Sequence, residues 1–379
     1  MSFRHDRTKE CRLARRVAVP IIFRMDTTPE HLLDRLLADL VGADRQRTLL
    51  AQIDLPAQLR GTARKALMRG PAGEQLAERV PRAVIAQALN MALFEDLLKR
   101  VPAAGDRVAE VVSEGGRIFF DHGALRTVVT PFPTALPSGH QAFARILGPL
   151  GYRVTNEYPL TRISMTGRSF THEDHPEQIA QFFVSELHLG GFSTRFQAAA
   201  QQVLVTAKDP VTPAIASLLR RLSADRELPY EDALALLRGL LPCFGRQHAR
   251  PTLEAYRILL EESAEMAWIA TEGHTFNHVT ERVRDVQAVA DRQKQLGRPM
   301  KDVVEVSRSG RVRQTAYFAA QVDREFPDAE GRVVTCRVPG SFYEFIQRER
   351  IIESDDRSRL DLGFDSGNAQ GIFRMTAAA

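Results

Sequence analysis

Cysteine is scarce in this 379-residue chain: Cys11, Cys243 and Cys336 are widely separated and none belongs to a CxxC pair. That spacing offers neither a disulfide framework nor a thiolate zinc site, and it fits a reducing cytoplasm. No apolar run approaches the roughly 18 residues that read as a membrane span, so no membrane partner is expected. The phosphate-cradling patterns GxGxxG and GxxxxGK(S/T) are absent, as is a GxSxG nucleophile elbow, which removes the usual support for nucleotide binding or serine hydrolysis. Charge of one sign is also missing. Fifty-one basic residues face 47 acidic ones, the net charge is +4, and the two signs are mixed along the chain. With no zinc-finger or RRM signature and no lysine-rich tract, a nucleic-acid partner is not expected.

What is present divides by periodicity. Residues 1–24 are rich in arginine, and "VAVPIIF" is too short for a secretory core. They are expected to be a disordered basic extension or sequence upstream of the true start, since Met25 opens the helix-like "DTTPEHLLDRLL". Residues 25–114 have helical spacing, as in Leu32, Leu33, Leu36, Leu37 and Leu40. At Gly115–Gly116 the character changes to β-prone runs. A strand, a helix and three strands follow over 115–192. A helical stretch then fills 193–270, the strand–helix–strand pattern returns over 271–350, and a polar tail, 351–379, is expected to close the site. The fold expected is α+β: two βαβββ modules forming a β cup, with an N-terminal helical region and a large helical insert. The sequence sets no oligomeric state, and a homo-oligomer is allowed.

The two modules echo one another. "DHGALR" carries His122 and Arg126, and "NHVTER" carries His278 and Arg282. The last strand of each block holds a glutamate, Glu186 at 64 residues after its histidine and Glu344 at 66. Residues four apart on a strand share a face. Paired modules would therefore turn two imidazoles and one carboxylate into a common cup. Two histidines and a carboxylate form the facial set of non-haem Fe(II) sites, with positions left open for substrate and O2. His122, His278 and Glu344 are the expected ligands. His274 is a rival or supporting group in the second module, and Glu186 and His188 are rivals in the first. Arg126 is read as a fork for a substrate carboxylate. Arg282, Arg337 and Arg348 are read as salt-bridged or solvated, and "HEDH" at His172–His175 as a solvated turn.

"FFDHGALRTV", "FNHVTERV" and "FYEFIQR" together resemble the vicinal oxygen chelate superfamily. The order of helical region, "DHGALRT", helical insert, "NHVT", carboxylate strand and terminal "AQGIF" resembles the 2-oxoadipate dioxygenase/decarboxylase (hydroxyglutarate synthase) family over about residues 29–376. The resemblance implies an Fe(II) oxidoreductase that turns 2-oxoadipate and O2 into 2-hydroxyglutarate and CO2 in lysine breakdown. It implies ligand positions at His122, His278 and Glu344 and a substrate-binding, catalytic arginine at Arg126. It also places Gly367 and Asn368 near the substrate, where larger relatives carry Val and Ser. The alternatives are an extradiol-type dioxygenase or lyase of the same superfamily, action on another 2-oxo acid, and a non-catalytic binding protein on the same fold. A basic nucleic-acid binder comes after these.

Overall fold

The computed structural model describes residues 31–60, 78–328, 330–352 and 357–365. Eight strands build its main sheet: β1 (Phe119–Val129), β2 (Tyr152–Leu160), β3 (Met165–His172), β4 (Gln181–His188), β5 (His278–Arg282), β6 (Glu305–Val306), β7 (Val312–Ala316) and β8 (Phe342–Arg348). Their order is β2-β3-β4-β1-β5-β8-β7-β6. β1 and β5 meet antiparallel at the centre, and each is flanked by a parallel last strand, β4 or β8. Outward from that seam both halves run first, fourth, third, second. This is the pseudo-twofold of two βαβββ modules, with helices Gln141–Leu147 and Val286–Gln295 following the two first strands.

Alternation along the strands divides apolar from polar. Leu125, Phe182, Val184, Val279, Tyr343 and Phe345 face the larger core, which they share with the helix Arg82–Arg100. That helix is buried almost all round over its first 13 residues because it lies between the sheet and outer helices. The 193–270 insert begins its helices where the sequence offers caps. Ser193, Thr212, Thr252 and Ser263 each accept a hydrogen bond from the backbone N–H three residues on. Helices Pro213–Asp225 and Tyr230–Leu240 join the larger core, whereas Thr194–Leu204, Leu253–Glu262 and Ala264–Glu272 form a second one.

One β-prone stretch departs from expectation. Val333–Pro339 does not join the main sheet; it pairs with Gln321–Pro327 in a separate hairpin. Its side chains mostly alternate between exposed and half-buried, and one face of the hairpin, with Phe326 and Val338 buried and Val322 and Cys336 beside them, packs on the second core. "HEDH" is also more structural than a solvated turn. Arg82 binds both carboxylate oxygens of Asp174 at 2.7 Å and Glu173 at 3.0 Å, tying the buried helix to the end of β3. His172 is fully buried beside it, and its Nδ1 accepts from the Asp174 N–H.

Two outcomes are expected. A Cβ on Gly123 would lie 2.3 Å from the Phe276 ring, so Gly123→Ala should cost about 1–3 kcal/mol in chemical denaturation by overpacking. Burial, aided by Arg82 and opposed by Asp174, lowers the His172 pKa to about 4. The unfolded chain therefore takes up a proton below about pH 6.5 that the folded chain refuses, and stability falls as pH drops from there towards 4. His172→Asn, which keeps an acceptor near the Nδ1 position, should reduce that slope by up to ~1.4 kcal/mol per pH unit in denaturation series.

Candidate metal centre

The β1–β5 register sets the site. His278 lies opposite Ala124, and His122 opposite Thr280, so both imidazoles stand on one face. β8 then places Glu344 beside Thr280. His278 Nε2 is 3.2 Å from Glu344 Oε2, His122 Nε2 is 3.6 Å from it, and the three ligand atoms lie within 4.8 Å of one another. The Thr280 hydroxyl donates to Glu344 Oε2 at 2.8 Å and touches His122 Nε2 at 3.1 Å. All three ligand candidates are at most 5% exposed, and Glu344 Oε1 meets no partner. A buried carboxylate so arranged is costly unless a cation completes it. Burial lowers the His278 pKa, against the pull of Glu344. Burial also pushes Glu344 up, but His278, His122 and Thr280 more than offset it, and its pKa falls. Neutral imidazoles and an ionised carboxylate are the states a metal requires. The donor set therefore fits a divalent cation.

Both imidazoles are held from behind by the residue that precedes them. His122 Nδ1 donates to Asp121 at 2.9 Å, and His278 Nδ1 to Asn277 Oδ1 at 3.2 Å, which leaves each Nε2 lone pair facing the cluster. Asp121 reaches its position because the β1–β5 register shifts between Phe120 and His122, a bulge that adds one residue. It is clamped by Arg282 Nε at 2.7 Å and by Arg348 Nη2 at 2.9 Å. Burial raises the Asp121 carboxyl, but Arg348, Arg282 and His122 outweigh burial and hold it well below the usual range. Arg282 and Arg348 are thus salt-bridged, as their sequence reading has it.

A pocket opens from the cluster and is lined by Arg126, Ser185, Phe183, Gln314 and Phe364 among others. Arg126 is 1% exposed and stands over the Trp268 ring at 5.1 Å. Burial lowers its pKa to about 10, with Glu265 opposing, so it stays cationic at neutral pH. Phe364 lies edge-on to His122 at 4.8 Å, while Arg348 binds the Asp361 and Gly363 carbonyls and so draws this segment onto the cup.

The rival residues lie elsewhere. Glu186 accepts from the His140 N–H at 2.7 Å and pairs with the His140 ring and Arg168. His188 bonds Thr166. His274 precedes the strand and packs against Phe143, so the alternation of β5 does not govern it. The register also corrects the echo between modules. Glu344 pairs with the residue two after His278, and the residue paired two after His122 is Phe183, not Glu186. Gly367 and Asn368 fall outside the described residues, as does the 1–24 extension. Sequence reasoning missed Thr280 and Ser185, which strand alternation on β5 and β4 would have placed on the cup face. It also missed Phe364, for which the aperiodic tail gives no signal.

A metal-binding cup of two βαβββ modules is the architecture of the glyoxalase, or vicinal oxygen chelate, class. Within it, this chain belongs to the family described as 2-oxoadipate dioxygenase/decarboxylase, which matches residues 77–374. A glyoxalase-superfamily protein from Ralstonia eutropha JMP134 is similar at 50% identity and TM-score 0.79, over 88% of this chain and 98% of that one. The hydroxyglutarate synthase of Oryza sativa, solved with 2-oxoadipate, shares the fold at 20% identity and TM-score 0.57, over 81% and 97% of the two chains. That of Pseudomonas putida, also with 2-oxoadipate, does so at 21% and 0.56, over 73% and 66%. No curated protein matches the chain. No helix among the described residues is long and apolar enough to cross a membrane.

Asp121→Asn should separate the two duties of that carboxylate. It is expected to lower stability by about 3–5 kcal/mol, because two guanidiniums would face a neutral amide. Metal affinity, read by chelator competition, should fall about 10–100-fold.

Proposed function

We propose that the protein is an Fe(II)-dependent dioxygenase that converts 2-oxoadipate and O2 into 2-hydroxyglutarate and CO2, a step suited to lysine breakdown. The observation that carries this reading is the buried His122–His278–Glu344 set opening into the pocket that holds Arg126. Family membership supports it. His122 and His278 would ligate through Nε2 and Glu344 through its carboxylate, leaving positions for a 2-oxo acid and O2. When bound, Fe(II) supplies electrons for O2 and a template that orients both reactants.

The chain's own residues would select and protect the substrate. Arg126 would hold the distal carboxylate of a diacid. A buried guanidinium beside a dication is repelled by it, and an anionic group between the two relieves that repulsion. Phe183 and Phe364 border the cup with apolar surface that keeps water from the reacting centre. Asp121 and Asn277 fix the tautomers of the ligand imidazoles. Gly367 and Asn368 are proposed to approach the substrate from the tail. A catechol carries no second carboxylate for Arg126, which sets this reading above an extradiol dioxygenase.

Protein loaded anaerobically with Fe(II) should take up O2 with 2-oxoadipate in preference to 2-oxoglutarate. No uptake with either, in protein holding one iron, sinks the proposal. His278→Ala should abolish iron binding. Arg126→Ala should keep iron and raise KM for 2-oxoadipate by about 10–100-fold, the worth of a charge-assisted hydrogen bond; loss of iron in both would mean that Arg126 has been given the wrong role.

A further inference from the structure

The two residues that support the ligand imidazoles are not equivalent. Asp121 has every oxygen engaged, by His122, Arg282 and Arg348. Asn277 does not. Its backbone N–H donates to the Ala124 carbonyl at 2.8 Å and its carbonyl accepts from the Phe342 N–H at 3.1 Å. Its Oδ1 accepts from His278 Nδ1, but its Nδ2 meets no acceptor although the residue is only 2% exposed. The amide cannot be turned to remedy this. A metal on His278 Nε2 requires the proton on Nδ1, and that proton requires an oxygen opposite it. The amino group is therefore left over, and a buried donor without an acceptor is unfavourable unless a ligand supplies one.

Its location says which part of a ligand. His278 lies opposite Ala124 in the antiparallel seam, so Asn277, one residue earlier, falls on the side of the cluster towards Arg126. Both residues line the same pocket. We propose that Asn277 is a substrate-positioning and specificity-determining residue, whose Nδ2 donates to the distal carboxylate of the diacid while its Oδ1 holds His278. This rests on the reading of the site as one for a 2-oxo diacid. It makes one side chain a link between metal ligand and substrate. Asp could not replace it, because Asp would serve His278 equally well and would turn a negative oxygen towards the substrate.

The test is anaerobic calorimetric binding of 2-oxoadipate and of the monoacid 2-oxohexanoate to Fe(II)-loaded protein, with metal affinity measured separately by chelator competition. Asn277→Ala should weaken 2-oxoadipate about tenfold and leave 2-oxohexanoate within about twofold. Asn277→Asp should retain metal as tightly as the unaltered protein and weaken the diacid further. Equal losses for diacid and monoacid, or none, overturn the assignment. So does a loss confined to Asn277→Asp, which is charge repulsion alone, and so does loss of metal in that variant. Should Asn277→Ala fail to fold, the diacid-to-monoacid ratio in Asn277→Leu, which is uncharged and of similar volume, decides by the same criterion. Failure of the unaltered protein to bind either acid would instead refute the diacid reading itself, and this inference with it.

Discussion

The antiparallel pairing of β1 with β5 is the constraint on which the site depends. Neither strand holds a metal set alone. Their register puts His278 opposite Ala124 and His122 opposite Thr280, so the two imidazoles emerge side by side from one face. The parallel pairing of β8 with β5 then delivers Glu344 next to Thr280. A slip of one residue in either ladder would turn a ligand into the apolar core on the opposite face. The bulge at Asp121 is part of the same device. It provides an acidic partner for His122 without spending a position of the alternating pattern.

Much of this was legible because strand period and chemistry agree. In "IFFDHGALRTVV" the polar residues His122 and Arg126 share parity, and in "FYEFIQR" Glu344 opposes Tyr343 and Phe345, which enter the core. The illegible parts have definite physical reasons. Glu186 looked equivalent to Glu344 by distance along the chain, but equivalence is set by register, and the connections differ in length between modules. His274 has the parity of His278, yet the strand begins only at His278. Val333–Pro339 has the alternation of a sheet strand and satisfies it in a hairpin instead. The segment at Phe364 is placed by Arg348 binding backbone carbonyls, an interaction that leaves no trace in residue pattern.

Duplication also shows how one spacing can serve two ends. Both first strands read His-x-x-x-Arg, but because they run antiparallel the two arginines lie at opposite ends of the seam. Arg282 falls beside Phe119, near the bulge, and is consumed in clamping Asp121 with Arg348. Arg126 falls beyond His278, where β4 offers Ser185 and the helix Ala264–Glu272 brings Trp268 over the guanidinium. One end of the cup is therefore locked by charge pairs and the tail segment. At the other end Arg126 and Asn277 line the pocket. The helical insert follows from the same asymmetry. Trp268, part of the second core, gives the buried guanidinium an aromatic face that offsets some of its lost hydration. The insert thus covers a strand arginine that lines the cup.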